Sequence, residues 1–109
     1  MGFNLVTREE VIEVLKKVYD PEIPINVVDL GLIYKVDVAD NIVHIDMTMT
    51  APGCPLVFYI ISLVKNAVKK LSGVKDVKVR LVWDPPWSPE MATEEGKKKL
   101  KELYPWLFE

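Results

Sequence analysis

Two alternating runs face each other across Asp40-Asn41. Leu32, Tyr34, Val36 and Val38 alternate with Ile33, Lys35 and Asp37, and Val43, Ile45, Met47 and Met49 alternate with His44, Asp46, Thr48 and Thr50. A period of two is the signature of a strand with one face in the core. Asp-Asn is turn chemistry, and the short separation makes the two runs a β-hairpin beginning near Leu32. One apolar face of a hairpin needs a second layer to cover it, and that requirement governs the rest of the chain.

The remaining segments supply that layer and a third strand. Thr7 and Glu10 form a capping-box pattern, T-R-E-E. Behind it Val11, Ile12, Leu15, Val18 and Tyr19 recur at helical spacing, predicting a helix over about 8–19 that Asp20-Pro21 terminates. The segment from Asp20 to Asp29, with two prolines and the carboxylates Asp20, Glu22 and Asp29, reads as an ordered loop. After the corner TAPGCP, Pro55 suits the first position of a second helix that runs to Ser72-Gly73. Its core stripe is Val57, Ile60, Ile61, Val64, Val68 and Leu71. Leu56, Phe58, Tyr59 and Leu63 make its first half apolar on nearly every side, so either the C-terminal tail covers it or a partner does. Val77, Val79, Leu81 and Trp83 alternate as a third strand. WDPPWSPE then turns the chain into a last helix, with Ser88-Pro89 as one start and Thr93 as a second, so that this helix is expected to be broken. The tail YPWLFE is too apolar to hang free in water. The expected fold is α+β: a two-layer α/β sandwich in the order α-β-β-α-β-α, helices packed on a small three-stranded mixed sheet. Residues 1–109 are expected to make a single domain, with the C-terminal helix and tail at about 88–109.

Composition excludes several functions. A chain of 109 residues, half hydrophobic, with a net charge of −2 has no basic excess to recruit nucleic acid. KKKLK at 97–101 follows Glu94 and Glu95 and reads as a solvated helix face. The longest apolar run, LVFYII, is too short for a bilayer, and Arg8, Glu9 and Glu10 interrupt the N-terminus before any signal-peptide core, so no membrane association is expected. A single cysteine cannot staple the chain to itself, and the expected compartment is a reducing cytoplasm.

That cysteine, Cys54, stands between Gly53 and Pro55 at the strand-to-helix corner. A residue directly before a helix whose first position is proline occupies the N-cap, where unpaired N–H groups and the helix dipole favour negative charge. A thiol there ionises more readily than the free value of about 8.5. The same pattern also suits a small buried hydrophobe on an architectural corner. Asp20, Glu22, Asp29 and Thr50 all lie at element ends, as Cys54 does, so one rim of the sheet could gather them. Carboxylates beside a thiolate raise its pKa unless a cation joins them, which points to a metal ion; alternatively Asp20 and Asp29 cap loop N–H groups.

DPEIP, VDLGLIY, MTMTAPGCP and VWDPPWSPEM, in that order, resemble the PaaD-like and SufT-like proteins, the metal–sulfur cluster assembly family. The resemblance runs from the first helix to about Leu100. It implies a role in iron–sulfur cluster maturation, as a transient scaffold, carrier or adaptor that delivers clusters to client proteins, with no enzymatic activity of its own. The implied partners are client apo-proteins and other cluster-assembly proteins. The family's motif positions fall on Asp20, Glu22, Asp29, Thr50 and Cys54, with Asp84 and Trp87 in the last motif. Ala51 stands where some members carry a second hydroxyl directly after the first.

Ordinary clusters take about four cysteine thiolates. One chain supplies one and a homodimer two, so any iron or cluster bound at Cys54 is expected to be held transiently, its other ligands coming from a second subunit, a small thiol, a carboxylate or the client. Three rivals remain. A cysteine-dependent enzyme needs a base, and His44, the sole histidine, sits mid-strand on the polar alternation. A zinc site from Cys54, His44 and carboxylates lacks a spaced pair of ligands. A protein-interaction adaptor without its own cluster would use the apolar helix face and the tail.

Overall fold

A computed structural model of the chain describes residues 6–20, 23–50 and 56–108. The elements are α1 (Arg8–Leu15), β1 (Ile33–Ala39), β2 (Ile42–Met47), α2 (Val57–Lys69), β3 (Asp76–Leu81) and α3 (Glu94–Leu103), with 3-10 turns at Pro89–Met91 and Pro105–Phe108. The order is the expected α-β-β-α-β-α, and the sheet is three-stranded and mixed. β1 and β2 pair antiparallel, with Ala39 opposite Ile42, through Asp40 and Asn41 at φ 54° and 61°. Two consecutive left-handed residues are what a two-residue type I′ hairpin demands, and Asp and Asn tolerate that region better than most side chains. β2 and β3 pair parallel, from Ile42 opposite Asp76 to Met47 opposite Leu81, and α2 is the crossover between them.

The alternation sorts the sheet's two faces as expected. Val36, Val43, Ile45, Met47 and Val77 are buried, whereas His44, Lys78 and Arg80 face water. Val11 and Leu15 of α1, and Ile60, Val64 and Val68 of α2, complete the core. Each such side chain taken from water contributes about 1.5–3 kcal/mol. The α1 capping box is formed: Glu10 N donates to Thr7 Oγ1 at 3.1 Å, and Thr7 N donates to Glu10 Oε1 at 3.0 Å.

Two expectations are corrected, and one alternative is narrowed. α1 ends at Leu15 rather than near Tyr19, because tertiary pairing takes the next residues. Val27 N donates to Val18 O at 2.9 Å, Asp20 N donates to Ile25 O at 3.2 Å, and Tyr19 bridges Asn26. The N-cap of α2 is Leu56, not Cys54, because the first helical turn closes from Ile60 N to Leu56 O. Of the two covers open to the start of α2, the described part of the tail is not one. It folds back on α3, where the Tyr104 and Trp106 rings meet edge to face at 5.6 Å, while Phe58 stays 77% and Tyr59 54% exposed. The last helix is broken as expected, and α3 starts afresh at its own N-cap, Thr93. Among the described residues no helix is long and apolar enough to cross a membrane.

Candidate functional site

The loop between α1 and β1 carries three of the expected site residues, and the structure shows how Asp20 and Asp29 are held. Asp20 is buried, and its Oδ1 accepts from Ile23 N at 3.1 Å, an Asx-type turn. Asn26, also buried, accepts from Asp29 N at 2.9 Å and donates through Nδ2 to Asp29 Oδ2 at 2.8 Å. The other oxygen of Asp29 accepts from Thr93 Oγ1 at 2.8 Å, and its carbonyl accepts from Thr93 N at 2.9 Å. Both carboxylate oxygens of Asp29 are thus engaged within the protein, and this carboxylate ties the start of α3 to the loop.

VDLGLIY is fixed to the WDPPWSPEM segment at further points. Trp87 Nε1 donates to Leu30 O at 2.6 Å. The Tyr34 hydroxyl donates to Pro85 O at 2.7 Å and lies 3.3 Å from Met91 Sδ. Gly31 has φ 80°, and a Cβ there would overlap the Met91 carbonyl, so the close approach of the two segments requires glycine. Burial raises the Tyr34 pKa above its ordinary value of 10.0, and the charge of Asp84 adds to the shift. The Thr48 hydroxyl opposes part of that shift from nearby without reaching the geometry of a formed hydrogen bond, and it is buried with no hydrogen-bond partner among the described residues. Asp84 itself is exposed.

A ladder of main-chain bonds carries this loop to the end of β2. Val27 N reaches Val18 O, Leu32 N reaches Val27 O at 3.0 Å, and Thr48 N reaches Leu32 O at 2.8 Å. Asp20, Asp29 and the Thr48–Thr50 segment therefore belong to one connected scaffold at one end of the sheet, with Thr50 half-buried at its last described position. Cys54 and Glu22 lie outside the described residues. Among the described residues no group of three or more His, Cys, Asp or Glu side chains is placed to hold a metal ion. His44 stands exposed on the outer face of the sheet, opposite Asp37 and Lys78, away from this end.

Sequence reasoning did not find Asn26, Tyr34 or the second task of Thr93. The N-x-x-D spacing of Asn26 and Asp29 is an Asx-turn signal that could have revealed the first.

The model of a family described as iron–sulfur cluster assembly protein matches residues 8–81. The chain is 50% identical over 97 residues to an Fe-S protein maturation auxiliary factor of Porphyromonas gingivalis, covering 88% of this chain and 92% of the relative. It is 42% identical over 81 residues to the Fe-S protein maturation auxiliary factor SufT of Staphylococcus aureus, covering 73% and 92%. Among solved structures, a domain of unknown function from Bacillus anthracis superposes with a TM-score of 0.81 at 37% identity, covering 84% of this chain and 89% of that one.

Proposed function

The chain belongs to the iron–sulfur cluster assembly protein family, and from that premise we propose that it is a maturation factor that takes iron or an iron–sulfur cluster as cargo at Cys54 and passes it to client proteins. The observation that carries this reading is the near full-length match to relatives named as Fe-S protein maturation auxiliary factors. The chemistry of the chain agrees with it. A single thiol supplies about a quarter of an ordinary cluster's ligands, so cargo is held incompletely, and release is what a donor needs. A cysteine with no partner to oxidise with suits the reducing cytoplasm, where we place the protein. In this reading Asp29 positions the scaffold and does not ligate, because Asn26 and Thr93 already occupy its oxygens. This reading also assigns Asp20, Glu22 and Thr50 to the handling of the cargo. The protein is not an enzyme in this reading, as its one histidine faces solvent on the sheet.

Anaerobic reconstitution with ferrous iron, sulfide and a small thiol tests the proposal. Wild type should gain iron and charge-transfer absorbance, and Cys54→Ser should lose both while keeping its circular dichroism. Equal iron and absorbance in the two proteins would remove Cys54 from the function. The exposure of Phe58 and Tyr59 favours a second reading, an adaptor that recruits partners through α2. Complementation separates the two: the adaptor tolerates Cys54→Ser and fails with Phe58→Ser.

A further inference from the structure

We propose that the outer edge of β1 docks an extended segment of a partner protein that alternates apolar side chains with carboxylates. β1 pairs with β2 along one edge only, and among the described residues no other element makes a backbone hydrogen bond to residues 33–39. An unpaired edge is a template for strand addition. A groove of about 670 Å³ lies against this edge, with Ile12 of α1, the Tyr34 ring, Pro85 and Met91 as apolar surface. Among the described residues, the charged ones lining it are Arg8 and Lys35, and none is a carboxylate.

In a chain of net charge −2, that local excess of cations selects the occupant. Arg8 makes no ion pair among the described residues, and Lys35 is engaged only by exposed Asp37 at 3.3 Å, a pairing weak enough to exchange. A second copy pairing through the same edge would bring another basic set to the groove, whereas an acidic strand neutralises it. The groove spans residues 33–36, room for a segment of about four residues at ~3.3 Å each. Ile33 pairs with Met47, so the groove opens at the end of the sheet that leads to Thr50 and the corner. The inference deepens the delivery reading by saying how a client is held, yet it does not need Cys54 to bind anything.

The test titrates the ¹⁵N-labelled full chain, without iron, with an acetylated and amidated peptide of repeating Val-Glu-Ile-Glu, followed by amide shifts. Saturable shifts at Arg8 and residues 33–39 are expected. Arg8→Glu should weaken binding about three- to tenfold at low salt. The same peptide N-methylated at alternate amides should not bind, because it cannot add as a strand. The Cys54→Ser chain should bind the peptide as wild type does, which keeps this result separate from the cargo experiment. Equal binding of the N-methylated peptide, shifts centred on Phe58 and Tyr59, the same shifts on raising protein concentration alone, or no shifts at all would each overturn the proposal.

Discussion

The Asp46–Arg80 pair on the outer face of the sheet is where a single charge can be followed from geometry to pH dependence. Arg80 grips the carboxylate with both arms, Nε to Oδ1 at 3.1 Å and a terminal nitrogen to Oδ2 at 2.8 Å. The hydrogen bonds from Arg80, more than any other cause, hold the Asp46 carboxyl below its ordinary 3.8. A carboxyl depressed in the folded state stabilises the fold above its unfolded pKa, and that contribution is lost as pH falls through the folded pKa. Asp46 keeps 21% of its side chain exposed and Arg80 73%, so solvent screens the pair. Asp46→Asn should therefore cost less than about 1 kcal/mol at neutral pH. In urea unfolding, the gap between variant and wild type should close as pH falls below the ordinary carboxyl value of 3.8. A gap that widens on acidification would contradict the assignment.

At the scale of elements, the decisive joint is α3 against the α1–β1 loop. Gly96 lies in the first turn of α3, and a Cβ there would overlap the carbonyl oxygen of Asp29. Alanine is the better helix former by about 1 kcal/mol. Sterics should win all the same, because the obstructing atom is backbone and cannot swing away. Gly96→Ala is expected to lose about 1–3 kcal/mol and to lower the melting temperature. An unchanged or higher melting temperature would mean that α3 can move off the loop at little cost. Thr93 adds to this joint by capping α3 through Gly96 N at 3.1 Å while donating to Asp29, so one threonine starts a helix and anchors it.

For the whole molecule, the exposed aromatic residues separate what folds the protein from what it offers to others. The tail packs on α3, and among its described side chains the ring contact is the Tyr104–Trp106 pair. Trp106→Ala should cost no more than about 1.5 kcal/mol, the worth of such a pair, in thermal unfolding. A loss of several kcal/mol would place the tail in the core. Phe58 and Tyr59 at the start of α2, together with the open edge of β1, are the surfaces on which folding makes little demand, and these are where partner recognition has room to act.

The sequence by itself determined the hairpin and its Asp40-Asn41 turn, the Thr7–Glu10 capping box, the break before Thr93 and the sorting of Val43, Ile45 and Met47 from His44 and Asp46. Each of these is set by neighbours a few residues apart. It also marked Asp20, Asp29 and Thr50 as residues at element ends, and the fold links their segments through one ladder of main-chain bonds. The task of Asp29 was decided only by the tertiary structure. Its carboxylate meets Thr93 from 64 residues away, and no local pattern records a contact of that range. The same holds for the early end of α1, where Val18 and Asp20 leave helical positions to pair with the loop. Hydrogen bonds across the loop outweighed helix propensity there because buried Val18, Asp20, Ile25 and Val27 had to pair their main-chain groups.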